Sequence, residues 1–159
     1  MNAYSSDAIQ AETIGITGHD GDQIEAYRAM PLAAGSRGAV VWIHHMPGYE
    51  RETKEFVRRL AVAGYHMVAP NLYSREAPGA APDDAAAAVR AAGGVPDERL
   101  VGDVAGAVEQ LRSLPGANGK FGVIGHCSGG RNAYLAACSL PSMPRWTAGA
   151  ASTRSSPLT

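Results

Sequence analysis

Three short apolar runs restrict this chain more than any other feature: Gly38–His44 (GAVVWIH), His66–Ala69 (HMVA) and Lys120–Ile124 (KFGVI). Each is nearly continuous in apolar residues rather than alternating with polar ones. That is the pattern of a strand covered on both faces, and strands of that kind pair in parallel sheets. Parallel neighbours need a crossover, and the intervening segments supply one. From Glu50 to Ala63, Phe56, Val57, Leu60 and Ala61 recur at helical spacing among charged residues, with Gly64 as the stop signal. From Asp97 to Leu114, Val101, Val104, Ala105, Val108 and Leu111 form a second stripe, broken by Pro115-Gly116 and Asn118-Gly119. Strands alternating with helices predict right-handed βαβ units and an α/β fold.

The flanking segments are less regular. Ala11–Thr17 and Gln23–Ala29 bracket His19-Asp20-Gly21-Asp22, a turn signal that predicts an opening hairpin. Pro70 ends the second apolar run, since a residue without an N–H cannot serve a central ladder. Asn71–Pro82 reads as a loop, and the Ala-rich Asp83–Ala92 as a surface helix closed by Gly93-Gly94. From Pro141 to Thr159 the apolar periodicity is lost, and a disordered tail is expected beyond a domain spanning residues 1–140.

Composition excludes several classes of function. With 159 residues, 45% of them hydrophobic and a net charge of −1, the chain matches one soluble domain and offers no basic footprint for nucleic acid or an anionic membrane. The first fifteen residues carry no basic-then-apolar leader, and no run approaches the length of a membrane span, so a cytoplasmic location is expected. Cys127 and Cys138 are eleven positions apart, which suits neither a CxxC redox pair nor a zinc site. No metal site is expected; adjacent His44 and His45 would face opposite sides of a strand.

The third apolar run leads into Gly125-His126-Cys127-Ser128-Gly129, a G-x-C-x-G pentapeptide between a buried strand and a segment that can continue as a helix. A nucleophile elbow needs that context. Glycines two before and two after the central residue leave room for a tight turn, while the helix start presents N–H groups that favour negative charge. The Ser128 N–H can point at a developing oxyanion. The alternative is a glycine-rich strand-to-helix connection around an ordinary buried cysteine. A phosphate loop is disfavoured, because the G-x-x-x-x-G-K-[ST] and G-x-G-x-x-G spacings are absent.

From about Glu12 to Leu140, three pieces occur in order that together resemble the dienelactone hydrolase family, cysteine members of the α/β-hydrolase fold: VVWIHHMPGYERETKEFVRRLA, AGYHMVAPNLYSREAPG and GDVAGAVEQLRSLPGANGKFGVIGHCSGG. The resemblance implies an α/β-hydrolase-type, mostly parallel sheet flanked by helices, and cofactor-free hydrolysis of a small-molecule ester or lactone. It implies Cys127 as nucleophile, with Met46 and Ser128 donating backbone N–H groups to the oxyanion hole. It also implies Arg75 as the group that binds a substrate carboxylate. Where the best-known members carry a glutamate against the resting thiol, this chain has His45, a possible thiol partner.

The fold's chain order is nucleophile, acid, histidine. No Asp or Glu follows Glu109 and no His follows His126, so the usual triad is not completed within these residues. The expectation is a truncated, frameshifted hydrolase, incomplete at the C-terminus, with KFGVI left as an open sheet edge and marginal stability. With GC-rich synonymous codons assumed for the tail, a neighbouring frame reads Ala-Ala-Val-Asp-Cys-Trp-Gly-Gly, similar to a further strand of the family. Weak hydrolase activity is one functional expectation. The other is a non-catalytic fragment that binds a small carboxylate or reacts as a thiol.

Overall fold

The apolar runs become the centre of one sheet. The structure, a computed structural model, describes residues 7–140 and 147–148. Strands β1 (Ile9–Thr17) and β2 (Gln23–Pro31) form the expected hairpin around a single 3₁₀ turn at His19–Gly21, with Thr17 opposite Gln23 and Ile9 opposite Pro31. Strand β3 (Arg37–Ile43) is followed by helix α1 (Arg51–Val62), and β4 (His66–Pro70) by helices α2 (Pro82–Ala91) and α3 (Asp97–Arg112). Strand β5 (Ala117–Gly125) leads into helix α4 (Ser128–Ser139), and a two-residue strand β6 covers Thr147–Ala148. The sheet order is β1-β2-β4-β3-β5-β6. The pairs β4/β3, β3/β5 and β5/β6 are parallel, and β1/β2 and β2/β4 are antiparallel.

The central strands are apolar throughout because both of their faces are covered. Along β3, Ala39, Val41 and Ile43 point to one side and Val40 and Trp42 to the other, the two-residue alternation of a pleated strand. The first side packs on Val104, Val108 and Leu111 of α3 and on Ala133 and Ala136 of α4. The second packs on Val57 and Ala61 of α1, where Trp42 stacks on Phe56 with ring centroids 4.7 Å apart. None of the described helices is long and apolar enough to cross a membrane.

Two expectations need adjustment. Helix α2 is more than a surface helix, because Ala85, Ala86 and Val89 are buried. In α3 the buried face comprises Leu100, Asp103, Val104, Ala107, Val108 and Leu111, while Val101 and Ala105 are half-buried at its margins. A charged residue at the middle of that face accounts for the rotation. The fully buried Asp103 carboxylate accepts two hydrogen bonds from the Arg75 guanidinium, at 2.8 and 2.9 Å, and one from the His19 backbone N–H at 2.9 Å. A buried carboxylate is tolerated when its oxygens are satisfied in this way. Asp103 therefore joins the hairpin turn, the loop after β4 and α3.

The tail expected over residues 141–159 lies outside the described residues apart from Thr147–Ala148. The backbone of that pair runs parallel to β5 opposite Val123 and Ile124. A strand edge with unpaired N–H and C=O groups is a template for such pairing.

Breaking the buried ion pair is expected to be costly. Asp103→Ala leaves the Arg75 charge without its main partner and should lower unfolding free energy by about 3–5 kcal/mol in urea titrations. Asp103→Asn keeps a hydrogen-bond acceptor and should cost less. Equal midpoints for wild type and Asp103→Ala would show that the pair does not hold these elements together.

Candidate active site

Strand β5 ends at Gly125 and α4 begins at Ser128, so the chain must turn within two residues. Cys127 makes the turn at φ 52° and ψ −127°, a backbone conformation that side chains bearing a Cβ rarely adopt. The helix starts at once: the Gly130 N–H donates to the Cys127 carbonyl at 3.0 Å. Both flanking glycines are sterically required. A Cβ at Gly125 would lie 2.2 Å from the Gly129 carbonyl oxygen, and one at Gly129 would lie 2.4 Å from the Ile43 oxygen and 2.8 Å from the His44 oxygen. The elbow is thus pressed against the end of β3. Cys127 is exposed, which sets aside the alternative of an ordinary buried cysteine.

The segment after β3 provides the facing wall. Met46 and Ser128 line one cavity of about 380 Å³ together with Tyr73, Val89, Val95 and Asn132. Among the described residues, neither the Met46 N–H nor the Ser128 N–H is used in a hydrogen bond, so both are free to donate to an anion. The Met46 carbonyl accepts from the Tyr73 hydroxyl at 3.3 Å. Arg75 does not line this cavity. Its Nε donates to Asp22 at 2.7 Å, and its two terminal nitrogens donate to Asp103. These partners raise its pKa further, the Asp103 hydrogen bonds most. One guanidinium between two carboxylates leaves a net negative group, which opposes approach of a substrate carboxylate. Arg90, at the C-terminal end of α2, does line the cavity and forms no ion pair among the described residues. Sequence reasoning missed Arg90 because nothing in the Ala-rich stretch distinguishes it from a solvated helix arginine.

The adjacent histidines take separate roles. His44 is buried, and its Nε2 accepts from the Leu72 N–H at 3.2 Å while its Nδ1 lies 3.0 Å from the His45 carbonyl. Since an amide only donates, the neutral ring must carry its proton on Nδ1 and donate it to that carbonyl. Burial lowers the His44 pKa from 6.5 to about 4. His44 is therefore a neutral brace between β3 and the loop after β4. His45 is half-buried and faces the other way: its ring centroid lies 4.4 Å from that of His126, and its Nδ1 is buried without a partner. Burial, and then the proximity of His45, keeps His126 below the ordinary imidazole range.

The Dienelactone hydrolase family profile matches residues 24–150. The chain belongs to the dienelactone hydrolase family. The carboxymethylenebutenolidase of Pseudomonas putida is 34% identical over 131 residues, covering 79% of this chain and 55% of its own length. Carboxymethylenebutenolidase 1 of Cupriavidus pinatubonensis is 31% identical over 141 residues, covering 82% and 60%. A candidate dienelactone hydrolase from Klebsiella pneumoniae superposes with a TM-score of 0.75 at 27% identity, over 86% of this chain and 57% of its own. The chain thus spans a little over half the length of the curated relatives it matches.

Two outcomes follow from this geometry. Cys127→Gly and Cys127→Ala both remove the thiol, but only glycine relieves the positive φ; the glycine variant should be the more stable by about 1–3 kcal/mol in urea unfolding. Equal stabilities would mean that the elbow is unstrained. For His44, the unfolded chain takes up a proton near pH 6.5 and the folded chain only near 4, so its stabilising contribution is lost as pH falls through that window. The stability advantage of wild type over His44→Asn should narrow by roughly 3 kcal/mol between pH 7 and pH 4. A constant difference would place the proton elsewhere.

Proposed function

We propose that this chain cleaves an ester or lactone bond through Cys127, with low turnover. The observation that carries the reading is the exposed cysteine held at positive φ between β5 and α4, next in sequence to Ser128, which lines one cavity together with Met46; the backbone N–H groups of both are unused among the described residues. The Cys127 sulfur attacks the carbonyl carbon and its proton leaves to a base; the carbonyl oxygen becomes an oxyanion that accepts from the two N–H groups. Collapse expels the alcohol, which takes a proton, and leaves a thioester. Water then adds to the thioester carbon, and the acid departs as the thiol is restored. His45, half-buried and with one unpaired ring nitrogen, is the proposed thiol partner.

The names of the curated relatives support a lactone as the substrate class. Carboxylate recognition, expected of Arg75, would require that residue to exchange Asp22 or Asp103 for the substrate. Arg90 is the unpaired guanidinium on the cavity, and the proposal assigns it the first contact. The same reading places the chain in the cytoplasm, where an exposed thiol stays reduced.

Taken by themselves, these 159 residues supply no Asp or Glu after Glu109 and no His after His126, and it is for this stretch alone that low turnover is proposed. Loss of a triad base typically costs about 10⁴- to 10⁶-fold in turnover, leaving the oxyanion-hole and binding contributions. That same absence favours the second reading, a non-catalytic fragment with a reactive thiol. An activated aryl ester separates them: a burst followed by slow turnover in wild type, both lost in Cys127→Ala, supports hydrolysis. Identical background rates for the two proteins would rule it out. With a carboxylate-bearing ester, Arg90→Ala should raise KM several-fold and leave the unfolding midpoint unchanged, whereas Arg75→Ala should mainly lower the midpoint.

A further inference from the structure

The loop that carries His45 away from β3 returns a few residues later as the start of α1, and this brings the proposed thiol partner beside two carboxylates that the hydrolase reading does not use. One ligand atom each from His45, Glu50 and Glu52 lies within 4.8 Å of the others. Glu50 is the N-cap residue of α1 but makes no side-chain capping hydrogen bond, and Glu52 stands exposed in the first helical turn. Glu52 alone would be an ordinary acidic residue complementing the helix dipole. Glu50 and His45 are less ordinary. The Oε1 of Glu50 and the Nδ1 of His45 are both buried, and neither has a hydrogen-bond partner. Buried polar atoms are nearly always satisfied, so two orphans in one cluster from separate chain segments call for a missing partner. The carboxylates are not neutralised by basic side chains either: among the described residues, neither Glu50 nor Glu52 pairs with an Arg or Lys, and the Lys54 ammonium sits over the Tyr49 ring, 4.5 Å from its centroid.

We propose that His45, Glu50 and Glu52 form a binding site for a divalent transition-metal ion of the zinc class. One imidazole nitrogen and two carboxylate oxygens make a mixed N/O set that leaves a fourth position open. Calcium and magnesium are disfavoured, because they seek more oxygen ligands and no imidazole. The ring of His126 packs against that of His45, with centroids 4.4 Å apart. The spacing H-x-x-x-x-E-x-E matches no familiar metal motif, and the cluster forms only because the loop after β3 folds back on the start of α1. The site goes beyond the hydrolase reading and does not depend on it.

The test uses the full-length, tag-free chain stripped with a chelator, with Co²⁺ titrated as a spectroscopic probe and Zn²⁺ by calorimetry. One equivalent of Co²⁺ should bring visible d–d bands of a tetrahedral or five-coordinate ion, and Zn²⁺ should displace it while excess Mg²⁺ does not. Glu52→Gln alters an exposed side chain and leaves the fold intact; it should weaken binding at least tenfold, and His45→Ala should abolish the bands. Cys127→Ala should bind as wild type does. The proposal is overturned by the absence of one-equivalent binding, by undiminished binding in Glu52→Gln, by displacement with Mg²⁺, or by sulfur-to-cobalt charge-transfer bands that vanish in Cys127→Ala. None of these readouts uses ester turnover, so a failed hydrolase assay leaves the result standing.

Discussion

The carbonyl oxygens of Ile43 and His44 leave no room for a side chain at residue 129, and most of the candidate site follows from that contact. Because α4 starts this close to the end of β3, the chain between β5 and α4 has only His126 and Cys127 with which to reverse. Cys127 must accept a positive φ, and its side chain is thereby carried clear of the sheet. The same proximity puts Ser128 and Met46 on one cavity. Strain of about 1–3 kcal/mol at a single residue is a substantial part of the stability of a small domain. It persists because the packed strands and α4 on both sides determine the turn.

A second constraint acts on the same side of the sheet, through α3. Asp103 is buried at the centre of α3 and is satisfied by Arg75 and the His19 N–H, so α3, the opening hairpin and the loop after β4 are locked to one another. The loop after β4 also supplies Leu72 to His44 and Tyr73 to Met46. Asp103 and the Met46 segment are thus both in contact with the loop after β4. Arg75 is part of this scaffold, joining the opening hairpin and α3 through Asp22 and Asp103.

The legible parts of the sequence were those where hydrophobic pattern and turn chemistry act locally. GAVVWIH, HMVA and KFGVI gave the three central strands, and the glycines around Cys127 gave the elbow, because burial on two faces and a tight turn each impose residue types on a short window. Hydrophobic periodicity placed α3 but centred its stripe too near Val101 and Ala105, since it assigns no burial to Asp103; only the ion pair with a residue 28 positions away makes that burial tolerable. The partners of Arg75 and the exposure of Arg90 to the cavity were illegible for the same reason. Both depend on which loops meet, and no local spacing encodes that.

The histidine pair after β3 shows how one residue step divides two chemistries. His44 points into the core, where its two ring nitrogens are both engaged and burial keeps it neutral. His45 points out toward His126 and α1; its Nδ1 is unpaired, and one of its ring nitrogens lies within 4.8 Å of the carboxylates of Glu50 and Glu52. A glutamate at position 45, as in the best-known family members, would add a third carboxylate to Glu50 and Glu52 and so repel them. Histidine relieves that repulsion and brings a nitrogen that serves equally as a proton acceptor and as a metal ligand. These uses compete for the same lone pair, so an ion held by His45 would withdraw that nitrogen as the base for Cys127.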